Sequence, residues 1–135
     1  MLEIIETIRP AIDLGMVVLI WLVQLVIYPS FRFADPNRFV DWHHSYMQRV
    51  SYVVMPLMLT QALCIGITCF LQPDLGTLFS AVCMLVAWIV TFTYSVPCHN
   101  QLQNAGNASE WIERLIKTNW IRTIAWTLVL VGNLF

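Results

Sequence analysis

Between Asp74 and Glu110 the chain carries no Asp, Glu, Lys or Arg, and the same holds from Leu14 to Phe31 and from Val50 to Gln72. Three uncharged stretches of this length within 135 residues exclude most soluble folds, because a water-facing surface is built largely from the charged side chains these segments lack. In a helix, about 20 apolar residues cross a hydrocarbon core of roughly 30 Å. With 59% hydrophobic and 11% charged residues, the chain reads as an all-α polytopic membrane protein. The expectation is one domain, an antiparallel four-helix transmembrane bundle in contact with membrane lipids.

The first span reads as residues 11–28 and stops at Pro29, which lacks the amide needed to continue a helix. The second reads as 42–71, an apolar body from Val50 preceded by an interfacial extension, and Gln72 to Gly76 is a turn by its chemistry. The third reads as 75–98. The fourth reads as 109–134, opened by Asn107 with Glu110 three residues on, the spacing of a capping pair.

Basic residues predict orientation, because positively charged short loops remain in the cytoplasm. Arg32, Arg38 and Arg49 flank the first connection, Arg114, Lys117 and Arg122 the third, and the second has none. An inner or plasma membrane protein with both termini outside is therefore expected. The acidic leader before a first apolar stretch of spanning length argues against a cleaved signal peptide. A net charge of -1 argues against a nucleic-acid partner. Cys64, Cys69, Cys83 and Cys98 form no CxxC pair, so thiol redox chemistry has little support and small apolar packing residues are the simpler reading.

Up-down topology brings the end of helix one, the start of helix two, the end of helix three and the start of helix four to one membrane face. Most of the unusual polar chemistry lies there, including all three histidines. At helical spacing, Asp13, Trp21, Gln24 and Tyr28 share one stripe, and His43 and Tyr46 lie on another with Gln61. Trp88, Thr91, Ser95 and His99 form the third, and Asn119, Arg122, Thr123 and Trp126 the fourth. Lipid rejects such faces, so the stripes should converge on a cytoplasm-facing cleft. The plainer reading makes Trp42, Trp111, Trp120 and His44 members of an interfacial belt, and Gln24, Gln61 and Asn119 interhelical hydrogen-bond donors.

Tyr28-Pro29 closing the first helix, Pro56 within the second, Pro97-Cys98-His99-Asn100-Gln101-Leu102 ending the third and Asn119-Trp120-Ile121-Arg122 in the last form a pattern. It resembles the anthrone oxygenase-like membrane proteins, the DUF1772 group. The resemblance spans nearly the whole chain in hydropathy and is specific in the last two motifs. It implies a four-helix membrane protein, some fungal members being implicated in oxidising polycyclic anthrones to anthraquinones with molecular oxygen. It also implies substrate contact by Asn100 and Arg122, with Pro97 shaping the helix end. His99 stands at a variable place in that motif, and the His43-His44 pair is a departure of this chain.

Two classes of function follow. One is an oxygen-dependent oxidase or oxygenase of a hydrophobic aromatic small molecule, phenolic or quinone-like. His99 or His43 would act as general base, Arg122 with Asn100 or Asn119 would stabilise the anion, and Tyr28, Trp88 and Trp126 would stack on the ring. Gln24 and Ser95 complete the expected pocket. The cofactor is unknown: either none, or iron, copper or haem held by His43, His44 and His99. The other class is a non-enzymatic accessory subunit, a homo-oligomer or part of a larger membrane complex, that binds a lipid, pigment or haem in the same cleft. Ion conduction ranks last, because it needs polar residues along the whole depth, and between the few of the outer half, Asp13, Gln61, Thr68 and Asn133, and the cytoplasmic face the stretch is apolar.

Overall fold

The computed structural model describes residues 2–134, which contain helices and no strand. Four rods form an all-α bundle: α1 (Leu2–Phe33), α2 (Phe39–Leu71), α3 (Leu75–Ala105) and α4 (Ser109–Gly132). The first three are each long and apolar enough to cross a membrane. Their outward faces are built from side chains such as Val18, Leu25, Leu63, Phe70, Val82 and Ile89, all exposed, a surface that only lipid solvates without penalty. The protein is a helical membrane protein. Its α4, whose first turns hold Glu110, Glu113, Arg114 and Lys117, buries Ile112, Leu115, Ala125, Trp126 and Val129 against the other rods.

Two helices continue past the prolines expected to end or reshape them, and for one physical reason. Val23–Ile27 in α1 and Thr91–Ser95 in α3 are single π-helical turns, closed by the amides of Tyr28 on the Val23 carbonyl and Val96 on the Thr91 carbonyl. The wider turn absorbs one extra residue, so Pro29 and Pro97 fall in the first turn of the next α-helical segment, where a missing amide breaks no bond. Hence α1 ends at Phe33 rather than Tyr28, and α3 at Ala105 rather than Cys98. At the other end α1 begins by Leu2, well before Ala11.

Caps differ from expectation at one connection. Asn107 does not cap α4: its amide donates to the Ala34 carbonyl at 3.1 Å and ties the third connection to the first. Asp74 caps α3, accepting from the Thr77 amide at 2.9 Å and the Thr77 hydroxyl at 2.8 Å. The most extensive helix pair is α3 with α4, where Gly132 lies over Gly76 and Ser80, and the Ser80 hydroxyl donates to the Val129 carbonyl at 3.0 Å.

Toward the Asp74 end, a buried polar string crosses the bundle. Arg9 donates to the Thr77 hydroxyl at 3.2 Å and stands 3.5 Å from the Asp13 carboxylate. Gln61 donates to Asp13 at 2.7 Å, and the Trp126 indole donates to Gln61 at 2.9 Å. Each side chain meets a partner from another helix or the next turn, while Arg9 Nε and Nη2 and Asp13 Oδ2 are buried without a hydrogen bond.

Candidate functional site

The two π-helical turns flank a cleft between α2 and α3, about 150 Å³ in volume. A π turn rotates the residues after it by roughly an extra third of a turn relative to an uninterrupted helix. Here it leaves Tyr28 of α1 and Ser95 and His99 of α3 buried and facing Arg122 of α4. The walls are mainly apolar, with Met47, Val54 and Met58 from α2 and Phe92 from α3; Tyr46, Ser51 and Thr91 also line them, the Ser51 and Thr91 hydroxyls donating to the Met47 and Ala87 carbonyls. Met55, Phe92 and Val96 at the rim are exposed on the lipid-facing surface, so the cleft opens sideways. Four of its polar groups, Tyr28, Ser95, His99 and Arg122, are joined by hydrogen bonds.

Arg122 is 7% exposed. One of its terminal nitrogens donates to Asn119 Oδ1 at 2.9 Å, to Ser95 Oγ at 3.0 Å and to the Tyr28 hydroxyl at 3.3 Å. Behind it, Asn119 donates to Gln24 Oε1 at 2.8 Å, and Gln24 donates to the Ile116 carbonyl at 3.3 Å. The guanidinium lies over the Trp126 ring at 5.2 Å, a cation–π contact that holds a charge in a dry interior. Its Nε is buried with no hydrogen-bond partner.

From Tyr28 a string of contacts runs outward along α3. The Tyr28 hydroxyl is 3.1 Å from His99 Nε2, His99 Nδ1 is 2.9 Å from His43 Nε2, and His43 Nδ1 is 2.9 Å from Gln103 Oε1. Gln103 in turn donates to the Val40 carbonyl at 3.2 Å. Phe31 seats both imidazoles: wholly buried, it packs edge-on against His43 and His99 and against Phe39, Trp42 and Tyr46.

Of the residues singled out in the sequence, Tyr28, Ser95, His99, His43, Arg122, Asn119 and Gln24 are brought into one network. Four others lie elsewhere. Asn100 is exposed and outside the cleft, because π-shifted α3 turns His99 inward and its neighbour outward. Trp88, half-buried, packs on Phe92, and Trp126 is fully buried beneath Arg122; neither lines the cleft. His44 is exposed and pairs with Gln48 at 3.2 Å, since residues adjacent in a helix point about 100° apart.

The expected ligand set of His43, His44 and His99 is therefore not assembled. Among the described residues no group of three or more His, Cys, Asp or Glu side chains is placed to hold a metal ion. All four ring nitrogens of His43 and His99 already meet Gln103, each other and Tyr28. This donor set does not fit iron, copper or haem as arranged.

Sequence reasoning missed Gln103 and Phe31. Gln103 stands four residues after His99, on its face of the helix, a signal that ending the third helix at Cys98 concealed. Phe31 was hidden likewise by ending the first helix at Pro29. Set against known proteins, the chain matches no family model, no curated protein and no solved structure.

Proposed function

We propose that the chain is an oxygen-dependent membrane oxidase or oxygenase that draws a flat, lipid-soluble phenolic or quinone-like molecule into the cleft between α2 and α3. The observation that carries this reading is the Tyr28 hydroxyl, set between the Arg122 guanidinium and the His99 imidazole at the closed end of an apolar, laterally open cleft. The volume suits one aromatic ring, with any tail left in lipid. The resemblance to anthrone oxygenase-like proteins points to the same substrate class, and the cluster of Arg32, Arg38, Arg49 and Arg114 near this end of the bundle favours placing it at the cytoplasmic face.

The chemistry asked of the residues is modest. A ring hydroxyl gives its proton toward Tyr28 and His99, and the oxyanion left behind is held by Arg122, whose Nε has no protein partner. Electron-rich phenolates and hydroquinone anions react with oxygen directly. For a hydroquinone the balance is two electrons and two protons passed to O2, giving quinone and hydrogen peroxide. Oxygen uptake by the protein in lipid nanodiscs, with decyl-substituted benzohydroquinone as probe, tests the reading. Uptake above the rate of empty nanodiscs, with matching peroxide and sensitivity to Tyr28→Phe, supports it, and uptake equal to that of empty nanodiscs overturns it.

A second reading, an accessory subunit, is favoured by the shallow apolar groove on α2 formed by Ala62, Leu63, Gly66, Ile67 and Phe70, where a Cβ on Gly66 would meet nothing within 4 Å. Close helix approach uses such small-residue faces. Here His99→Ala and Arg122→Ala would alter assembly or stability and no reaction.

A further inference from the structure

We infer that Tyr28, His99, His43 and Gln103 form a proton relay linking the polar end of the cleft to a single face of the membrane, with Gln103 as the positioning residue that sets the resting polarity of its hydrogen bonds. The relay deepens the oxidase reading, to which it adds the route by which the substrate's proton leaves and returns.

The polarity follows from hydrogen-bond chemistry alone. The Gln103 amide nitrogen donates to the Val40 carbonyl, so its Oε1 is the atom that faces His43, and a carbonyl oxygen only accepts. His43 therefore carries its proton on Nδ1, and its Nε2 is an acceptor. His99, 2.9 Å away, must then donate from Nδ1, which leaves its Nε2 to accept from the Tyr28 hydroxyl. The Tyr28 oxygen in turn accepts from Arg122. Every link has one donor and one acceptor, and fixing the amide at one end fixes all of them.

Transfer along this string balances. Tyr28 passes its proton to His99 Nε2, His99 passes the one on Nδ1 to His43 Nε2, and His43 releases its Nδ1 proton to water admitted at half-buried Gln103. Tyr28 then takes the proton of the ligand hydroxyl. The reverse sequence returns a proton when reduced oxygen needs one. The other titratable groups beside the pair are Tyr46, packed on both imidazoles, Arg122, and His44, which follows His43 in α2.

Among the described residues no matching route of imidazoles and hydroxyls leads from Arg122 toward the Asp74 end. Beyond Arg122 lies the Trp126 indole, which has an N–H and no lone pair to receive a proton, and it already donates to Gln61. Proton exchange with the cleft is thus confined to the Gln103 end of the bundle.

The test is nitrogen-15 NMR of histidine-labelled protein in lipid nanodiscs, which reads the protonated ring nitrogen directly and needs no ligand. The chain has three histidines, and His44→Gln, at an exposed position outside the network, leaves the two of interest. The expected result is an Nδ1–H tautomer on both, the less common form of a free imidazole. Gln103→Lys replaces the acceptor by a donor, and should switch His43 and His99 together to Nε2–H. An Nε2–H tautomer on either histidine of the parent protein, or a Gln103→Lys protein in which one switches without the other, overturns the relay. Because oxygen uptake is a separate measurement, failure of the relay and failure of the oxidase reading are told apart.

Discussion

His43 Nε2 lies 2.9 Å from His99 Nδ1, an imidazole of α2 against an imidazole of α3 that stands 56 positions later in the chain, both buried. Two facing ring nitrogens make a bond only if one carries a proton and the other does not. The pair is therefore informative about chemistry in a way that two separate histidines at a membrane interface are not.

Tyr28→Phe keeps the ring and removes the hydroxyl that bridges His99 and Arg122. Oxidation of the benzohydroquinone probe should fall by about 10²–10⁴-fold, the usual contribution of a positioned proton-transfer group. Stability should drop by about 1–3 kcal/mol, because a buried acceptor loses its donor. Oxygen uptake and thermal unfolding in one detergent measure the two effects, and unchanged uptake would count against Tyr28 as the group that meets substrate.

At the other end of the bundle, Gln61→Leu strips Asp13 of its 2.7 Å donor and Trp126 of its acceptor. Asp13 is fully buried, so the expected cost is about 3 kcal/mol or more. Adding Trp126→Phe should cost less than the sum of the two single changes, since both delete the same bond. Unfolding midpoints of the double-mutant cycle check this, and strict additivity would mean the bond carries no shared energy.

Gly132→Ala places a Cβ 2.9 Å from the Gly76 carbonyl and against the Ser80 hydroxyl. The Ser80 hydroxyl is the nearest obstacle and the Gly76 carbonyl the next; because the carbonyl is backbone and cannot swing aside, α3 and α4 must move apart. A loss of about 1–3 kcal/mol is expected, as for other overpacked sites. Gly66→Ala, with open space around it, should be close to neutral in the same melt.

Asp74 caps α3 from an exposed turn, and the Thr77 amide and hydroxyl hold its carboxyl below the ordinary aspartate value of 3.8. A depressed folded value means that the cap stabilises the protein fully above about pH 4, its unfolded titration range, and fades as pH falls through the folded value. Asp74→Ala should cost about 0.5–2 kcal/mol near neutral pH. That difference should close on acidification below about pH 4, and a difference that grows there would reverse the assignment.

Arg32 and Glu113 pair at 2.6 Å between the end of α1 and the first turns of α4, with both side chains over 40% exposed. Water and salt screen such a pair, so Glu113→Gln should cost no more than about 1 kcal/mol at low ionic strength. The cost should vanish in 1 M salt, and a melting temperature series over salt concentration reads it.

Much of this architecture was legible in the chain itself. Charge-free runs of spanning length dictate helices in lipid, since no other open structure satisfies its backbone there. Helical spacing then placed Tyr28, Ser95, His99, Asn119 and Arg122 on inward stripes, because polar faces at membrane depth must meet each other. Tertiary structure alone decided which stripe residues touch. The two π turns shift phase by a residue, carrying α1 and α3 past their prolines, turning His99 inward and Asn100 outward, and bringing Phe31 and Gln103 into the cluster. A phase shift of that kind leaves no mark in hydropathy, which reports how deep a residue lies and not which neighbour it meets.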